Sequence, residues 1–138
     1  MIRPASACDE EAVKELLALS GLPAAGLDET RLFVLEEGGN VVGCVGYEAY
    51  EPYALLRSLA VHPAHRGTGR GRKLMRFAVN EARSRGFEQA FGLTSSIPDW
   101  LLRLGFSETR REEFPVELSA STQMGDICKT ARAFYLNL

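Results

Sequence analysis

Three glycines at alternate positions, in Arg66-Gly67-Thr68-Gly69-Arg70-Gly71-Arg72, fall directly between a β-rich stretch and a segment of helical periodicity. Glycine admits backbone turns closed to other residues and lets a ligand approach the chain closely. A helix beginning there presents the unpaired N–H groups of its first turn and the positive end of its dipole, which together suit an anion such as a pyrophosphate. Arg66, Arg70, Arg72, Lys73 and Arg76 add five cations with no acid among them. Strand, glycine loop and helix in succession therefore point to an α/β fold with a ligand at the helix N-terminus.

The flanking sequence extends that unit. Leu74, Met75, Ala78 and Ala82 repeat at helical spacing, Gly86 follows the basic residues Arg83 and Arg85 as a stop, and Gln89 to Thr94 reads as a buried strand. Upstream, Arg31 to Glu36 is a strand and Glu37-Gly38-Gly39-Asn40 a hairpin turn; Val41 to Tyr50 is a long second arm, and Glu51-Pro52 turns into Tyr53 to Val61. These segments predict a three-stranded antiparallel meander. Met1 to Pro4 reads as an edge strand, followed by a helix capped by Ser6 with Asp9 or Glu10 and carrying Val13, Leu16 and Leu17 on one face. Ile97 to Leu104 is a short helix closed by Gly105, and Phe106 to Thr109 and Ala131 to Leu136 are strands. Arg110 to Lys129 is polar and of mixed propensity, suited to a partly helical loop over a site. The expected architecture is a mixed, mostly antiparallel central sheet flanked by helices, in one domain spanning residues 1–138.

Composition narrows the function classes. A net charge of -2 gives no general attraction to nucleic acid, and no apolar run approaches the length that spans a bilayer. Met1 to Asp9 lacks the apolar block of a secretory signal, so a cytoplasmic location is expected. Cys8, Cys44 and Cys128 are too scattered for a disulfide framework. No metal site is expected: His62 and His65 are three apart, but Pro63 disfavours the helical turn that would align them.

Spacing separates the phosphate-binding motifs. Neither Gly67 nor Gly69 begins a P-loop, and Arg72 stands where a dinucleotide fingerprint requires its third glycine. Arg/Gln-x-x-Gly-x-Gly/Ala does fit, with Arg66, Gly69 and Gly71 in its fixed places. This loop resembles the acyl-CoA loop of the GNAT N-acetyltransferase superfamily. Leu55-Leu56-Arg57-Ser58-Leu59-Ala60-Val61-His62-Pro63 is similar to the strand that enters it, and Leu104-Gly105-Phe106 to the superfamily's closing Leu-Gly-Phe. More narrowly, Leu55 to Val61, Gly92-Leu93-Thr94 and a lone Cys128 before the last strand resemble the GNAT branch encoded beside arsenic-resistance genes, except that Lys129 follows the cysteine where proline is expected.

The resemblance implies a GNAT fold and direct acetyl transfer from acetyl-CoA to a small amine, without an acyl-enzyme. It assigns acetyl-CoA to Leu59, Ala60, Val61, Arg66, Gly67, Thr68, Gly69, Arg70, Gly71 and Arg72, with the Ser58 to Val61 backbone beside the pantetheine arm. A backbone N–H near Leu59 or Ala60 would polarise the thioester carbonyl. Among Tyr47, Glu48, Glu51 and Tyr53, Glu48 is the preferred general base. The tyrosine that many such enzymes use as acid falls here at Leu101, which leaves a non-catalytic acyl-CoA-binding domain as the alternative, beside an arsenical-binding protein using Cys128. Similar proteins are often homodimers.

Overall fold

The computed structural model describes residues 1–94, 98–124 and 131–138. Seven strands form one sheet: β1 (Ile2–Pro4), β2 (Arg31–Glu37), β3 (Asn40–Tyr50), β4 (Tyr53–Val61), β5 (Gln89–Thr94), β6 (Ser107–Thr109) and β7 (Arg132–Asn137). Their order is β1-β2-β3-β4-β5-β7-β6, antiparallel throughout except for β4 and β5, which run parallel. The parallel step needs a crossover, and the helix α2 (Arg70–Ser84) supplies it. Helix α1 (Glu10–Leu19) and the short α3 (Pro98–Arg103) complete the flanks. The α/β reading holds, and the expected meander is β2-β3-β4, with Gly38 and Gly39 both at positive φ in the first turn.

Alternation along the strands decides which helix each face meets. Phe33, Leu35, Val45, Tyr47 and Leu56 pack with Leu74, Met75, Ala78 and Ala82 of α2, and α3 adds Leu101 beneath the same face. The opposite face carries Val34 and Cys44 against Val13, Leu16 and Leu17 of α1, and Leu55 and Phe91 against Phe114 and Leu118. The latter two belong to a strap of 3-10 turns, Arg111–Glu113, Val116–Ala120 and Thr122–Met124. This is the partly helical loop expected from the sequence, as far as Met124. Residues 125–129, Cys128 among them, and Ser95 to Ile97 lie outside the described residues.

One irregularity in β4 positions everything that follows. Cys44 pairs with Ala60 and Gly46 with Arg57, so Ser58 and Leu59 together face the single residue Val45, a bulge. The extra residue reverses the alternation: Leu55 lies on the α1 face, yet Ala60 does so as well, while Leu59 and Val61 turn towards α2. Ser58 has φ +62°, and among the described residues it is the non-glycine with positive φ. Two bonds hold it there: Cys44 Sγ donates to its carbonyl (3.2 Å) and Arg57 Nε to its hydroxyl (2.9 Å).

Candidate active site

β4 and β5 are paired only from Tyr53–Gln89 to Leu56–Gly92. Beyond the bulge they part, and the β4 backbone from Arg57 to Val61 opens onto a cavity of about 800 Å³. The glycine loop forms one end of this cavity through Arg66, Gly67, Gly69, Arg70, Gly71 and Arg72; Leu59, Ala60 and Val61 form its wall, and Thr68 completes the loop itself. Leu93, Thr94, Trp100 and Leu101 face the β4 wall from the other side. The structure thus brings the sequence-selected segments to one place.

The loop is built to leave its backbone uncovered. Gly67 (φ +81°) and Gly69 (φ +84°) are left-handed, and a Cβ on either would meet nothing within 4 Å. Gly69 caps α2, whose first helical bond runs from Lys73 N to Gly69 O (3.0 Å). The N–H groups of Arg70, Gly71 and Arg72 consequently lack acceptors within the helix and sit at the positive end of its dipole. The residues present fit an elongated ligand with an anionic end.

Two of the five cations have structural duties that the sequence did not reveal. Arg66 donates to Val61 O (2.9 Å) and to Ser20 Oγ (3.1 Å), fastening the loop to the end of β4 and to the residue that closes α1. Arg70 makes a two-pronged pair with Glu37 (2.9 and 2.8 Å) and also donates to the Thr68 hydroxyl. Each partner holds the other in its charged form, so the Glu37 carboxyl lies below its ordinary pKa and the Arg70 guanidinium above. These two loop cations are thus engaged within the protein, beside helix amides that lack acceptors in the helix. His62 Nδ1 accepts from Ala64 N (3.1 Å), which engages one of its ring nitrogens in the turn before the loop.

Beside the cavity lies a buried polar cluster. Arg57 is one of the residues lining the cavity; its guanidinium is buried and donates to Glu48 Oε2 (2.7 Å), and the Tyr50 hydroxyl donates to Glu48 Oε1. Burial, reinforced by the Glu48 carboxylate, pushes the Tyr50 hydroxyl up to about 12. Glu48 itself is not among the residues that line the cavity. Leu101, in the position where the resemblance implies an acid, is a 4%-exposed core residue with no proton to give. Burial likewise pushes the Cys44 thiol up to about 12.

Residues 28–108 match the family model for the acetyltransferase (GNAT) domain. The chain belongs to this family. An amino-acid acetyltransferase of Vibrio atlanticus is 32% identical over 89 residues, 63% of this chain and 20% of that protein; one of Shewanella oneidensis is 33% identical over 55% of this chain and 18% of its own length. The GNAT chain thus spans about a fifth of the curated relatives it matches. Among solved structures, Rv2747 of Mycobacterium tuberculosis in complex with CoA superposes with a TM-score of 0.83 at 24% identity, covering 100% of this chain and 99% of that one. The N-acetylglutamate synthase of Neisseria gonorrhoeae, complexed with coenzyme A and N-acetyl-glutamate, gives 0.85 at 21% over 100% of this chain and 35% of its own. These likenesses show the GNAT fold.

Arg57 and Gln123 are cavity residues that the sequence reading passed over. Arg57 had a signal: a charge inside the otherwise apolar Leu55-Leu56-Arg57-Ser58-Leu59 is expensive unless paired. Gln123 had none, because its strap has no periodicity.

Proposed function

We propose that this chain transfers the acetyl group of acetyl-CoA directly to the amine of a small, amino-acid-like molecule. The observation that carries the reading is the parting of β4 and β5 beside the glycine loop, which joins an anion site to an unpaired strand edge in one cavity. Acetyl-CoA would supply the activated acyl group as its thioester. The loop amides would hold the phosphates, and the open β4 edge would align the pantetheine amides by strand-like hydrogen bonds. An N–H at Leu59 or Ala60 would meet the charge developing on the carbonyl oxygen. As the amine forms its C–N bond the C–S bond breaks, the amine proton leaves and the thiolate is protonated. Glu48 is the proposed base, acting through a bridging water because it is not itself among the residues lining the cavity; water is the proposed source of the thiolate's proton.

The relatives' designation as amino-acid acetyltransferases supports an amino-acid-like acceptor. The finer likeness to the branch beside arsenic-resistance genes supports an arsenical one, and arsenite affinity lost in Cys128→Ser with acetyl-CoA binding intact is the signature of a metalloid role. A second reading, acyl-CoA binding without turnover, is favoured by the apolar Leu101; it predicts binding but no thiol release with any amine.

The deciding experiment is calorimetric titration of acetyl-CoA into wild type and Gly71→Glu. Gly71 has ordinary helical geometry, and a Cβ there meets only Val61 Cγ2, at 3.9 Å, so the variant adds a negative charge to the anion site without forcing the backbone. Wild type should bind and Gly71→Glu at least tenfold more weakly; absence of binding by wild type overturns the proposal.

A further inference from the structure

Ser58 carries the bulge of β4, and a neighbouring side chain grips it at two points. Its hydroxyl accepts from Arg57 Nε (2.9 Å), and its carbonyl accepts from Cys44 Sγ (3.2 Å) in a buried bond. Cys44 is fully buried in the apolar cluster of Val13, Leu16 and Leu17, where a peptide carbonyl is costly unless it is hydrogen-bonded. Burial pushes the thiol up to about 12, so at neutral pH the sulfur keeps the proton that it donates. A serine does not favour the left-handed region by itself, and φ +62° persists because the surroundings impose it.

What the grip fixes is the residue that follows. His62 N donates to Val42 O (2.8 Å), and the register sets Val61 opposite Gly43 and Ala60 opposite Cys44. N–H groups alternate in direction along an antiparallel strand, so those of Ala60 and His62 address β3 while those of Leu59 and Val61 turn away from it. On that side β5 has stopped pairing at Leu56–Gly92, and Leu59 and Val61 line the cavity. Ser58 is thus the point at which the outward-facing N–H groups of the open edge begin.

We propose that Cys44 is a positioning residue for acetyl transfer: by holding the Ser58 carbonyl, its thiol fixes the bulge so that the Leu59 N–H meets the thioester carbonyl oxygen of acetyl-CoA. This rests on the acetyltransferase reading above. Cys44 is not among the residues that line the cavity; it acts through the β4 backbone, from the face of the sheet that α1 covers. A donor aimed in advance needs no rearrangement as charge builds on the oxygen. Valine at this position would keep an apolar side chain against α1 and remove the donor.

The test is calorimetry with acetyl-CoA and with S-ethyl-CoA, a thioether of the same length that lacks the carbonyl oxygen, together with the infrared carbonyl stretch of bound acetyl-CoA isotopically labelled at that carbon. Wild type should bind acetyl-CoA about three- to tenfold more tightly than the thioether, as one added hydrogen bond allows, and should lower the stretch. Cys44→Val and Cys44→Ala should bring the two affinities together and return the stretch towards its value in water, with S-ethyl-CoA affinity unchanged. Cys44→Ser keeps a donor, and in Cys44→Val combined with Ser58→Gly the glycine reaches the left-handed conformation unaided, so both should restore the preference. Equal affinities in wild type, a wild-type preference in Cys44→Val and Cys44→Ala, or a loss that neither Cys44→Ser nor the double variant repairs each overturns the proposal. Failure of both ligands to bind wild type strikes the acetyltransferase reading instead.

Discussion

The Arg57 guanidinium meets the Glu48 carboxylate across 2.7 Å with their side chains only 1% and 4% exposed. Neither charge can be removed alone without stranding the other in a region that water hardly reaches. Glu48→Ala should therefore cost about 3–5 kcal/mol of stability, whereas the paired Glu48→Leu, Arg57→Met variant should recover most of that loss. Urea titration of wild type, the two single variants Glu48→Leu and Arg57→Met, and the double variant measures the coupling; a loss in the double variant equal to the sum of the two single losses would show that the two charges act independently.

Arg3 and Asp9 make a second pair, near the surface, in which Asp9 also accepts from Ser6 N (2.7 Å) at the start of the helical segment. The Arg3 hydrogen bonds, then that of Ser6, hold the Asp9 carboxyl well below the usual carboxylate range. A carboxyl depressed in the folded state stabilises above its unfolded pKa of about 3.9 and ceases to as pH falls through the folded value. Asp9→Asn should lower Tm at pH 7, and the gap to wild type should close as pH drops below about 4. A gap of constant size from pH 7 to pH 2 would contradict this.

Glycines two apart in the same loop should respond in opposite directions. Gly69 sits at φ +84°, so Gly69→Ala should cost about 1 kcal/mol in backbone strain. Gly71, inside the first turn of α2, lacks that constraint, and Gly71→Ala should be neutral or stabilising by up to about 0.5 kcal/mol. Both should weaken acetyl-CoA binding by crowding the loop backbone, so comparing thermal melts with calorimetry separates folding from ligand approach.

The Glu37–Arg70 pair predicts a gain of function. Its members are 36% and 24% exposed, and pairs of that kind contribute no more than about 1 kcal/mol. Glu37→Gln should leave Tm nearly unchanged while freeing Arg70 and removing a negative charge beside the loop. Acetyl-CoA should then bind more tightly, with a steeper dependence on salt; unchanged affinity at low salt would show that Arg70 plays no part in binding.

What the sequence disclosed and what it withheld divide along physical lines. Local signals were sufficient for the meander, for α2 with Leu74, Met75, Ala78 and Ala82 buried, and for the glycine loop, since each rests on periodicity or on turn chemistry within a few residues. The partners of Arg66 and Arg70 were not legible, because Ser20 and Glu37 lie 46 and 33 positions away and only the packed sheet brings them close. Glu48 could be picked out among the acidic residues, but its coupling to Arg57 depends on the pairing of β3 with β4. Gln123 was beyond reach, since a strap of single 3-10 turns has no period and its position is set by the Phe114 and Leu118 side chains packing under the sheet.

A sheet that opens between two of its inner strands has an edge where edges are normally absent. Unpaired strand edges are liabilities, since any passing chain can add to them. Here the edge is recessed in a cavity that Ser20, Leu22, Pro23, Gln123 and the glycine loop also line. A ligand lying in this recess meets the edge from within the fold, whereas a neighbouring chain meets the surrounding residues first. The fold thereby keeps the binding capacity of an incomplete sheet while shielding it from aggregation.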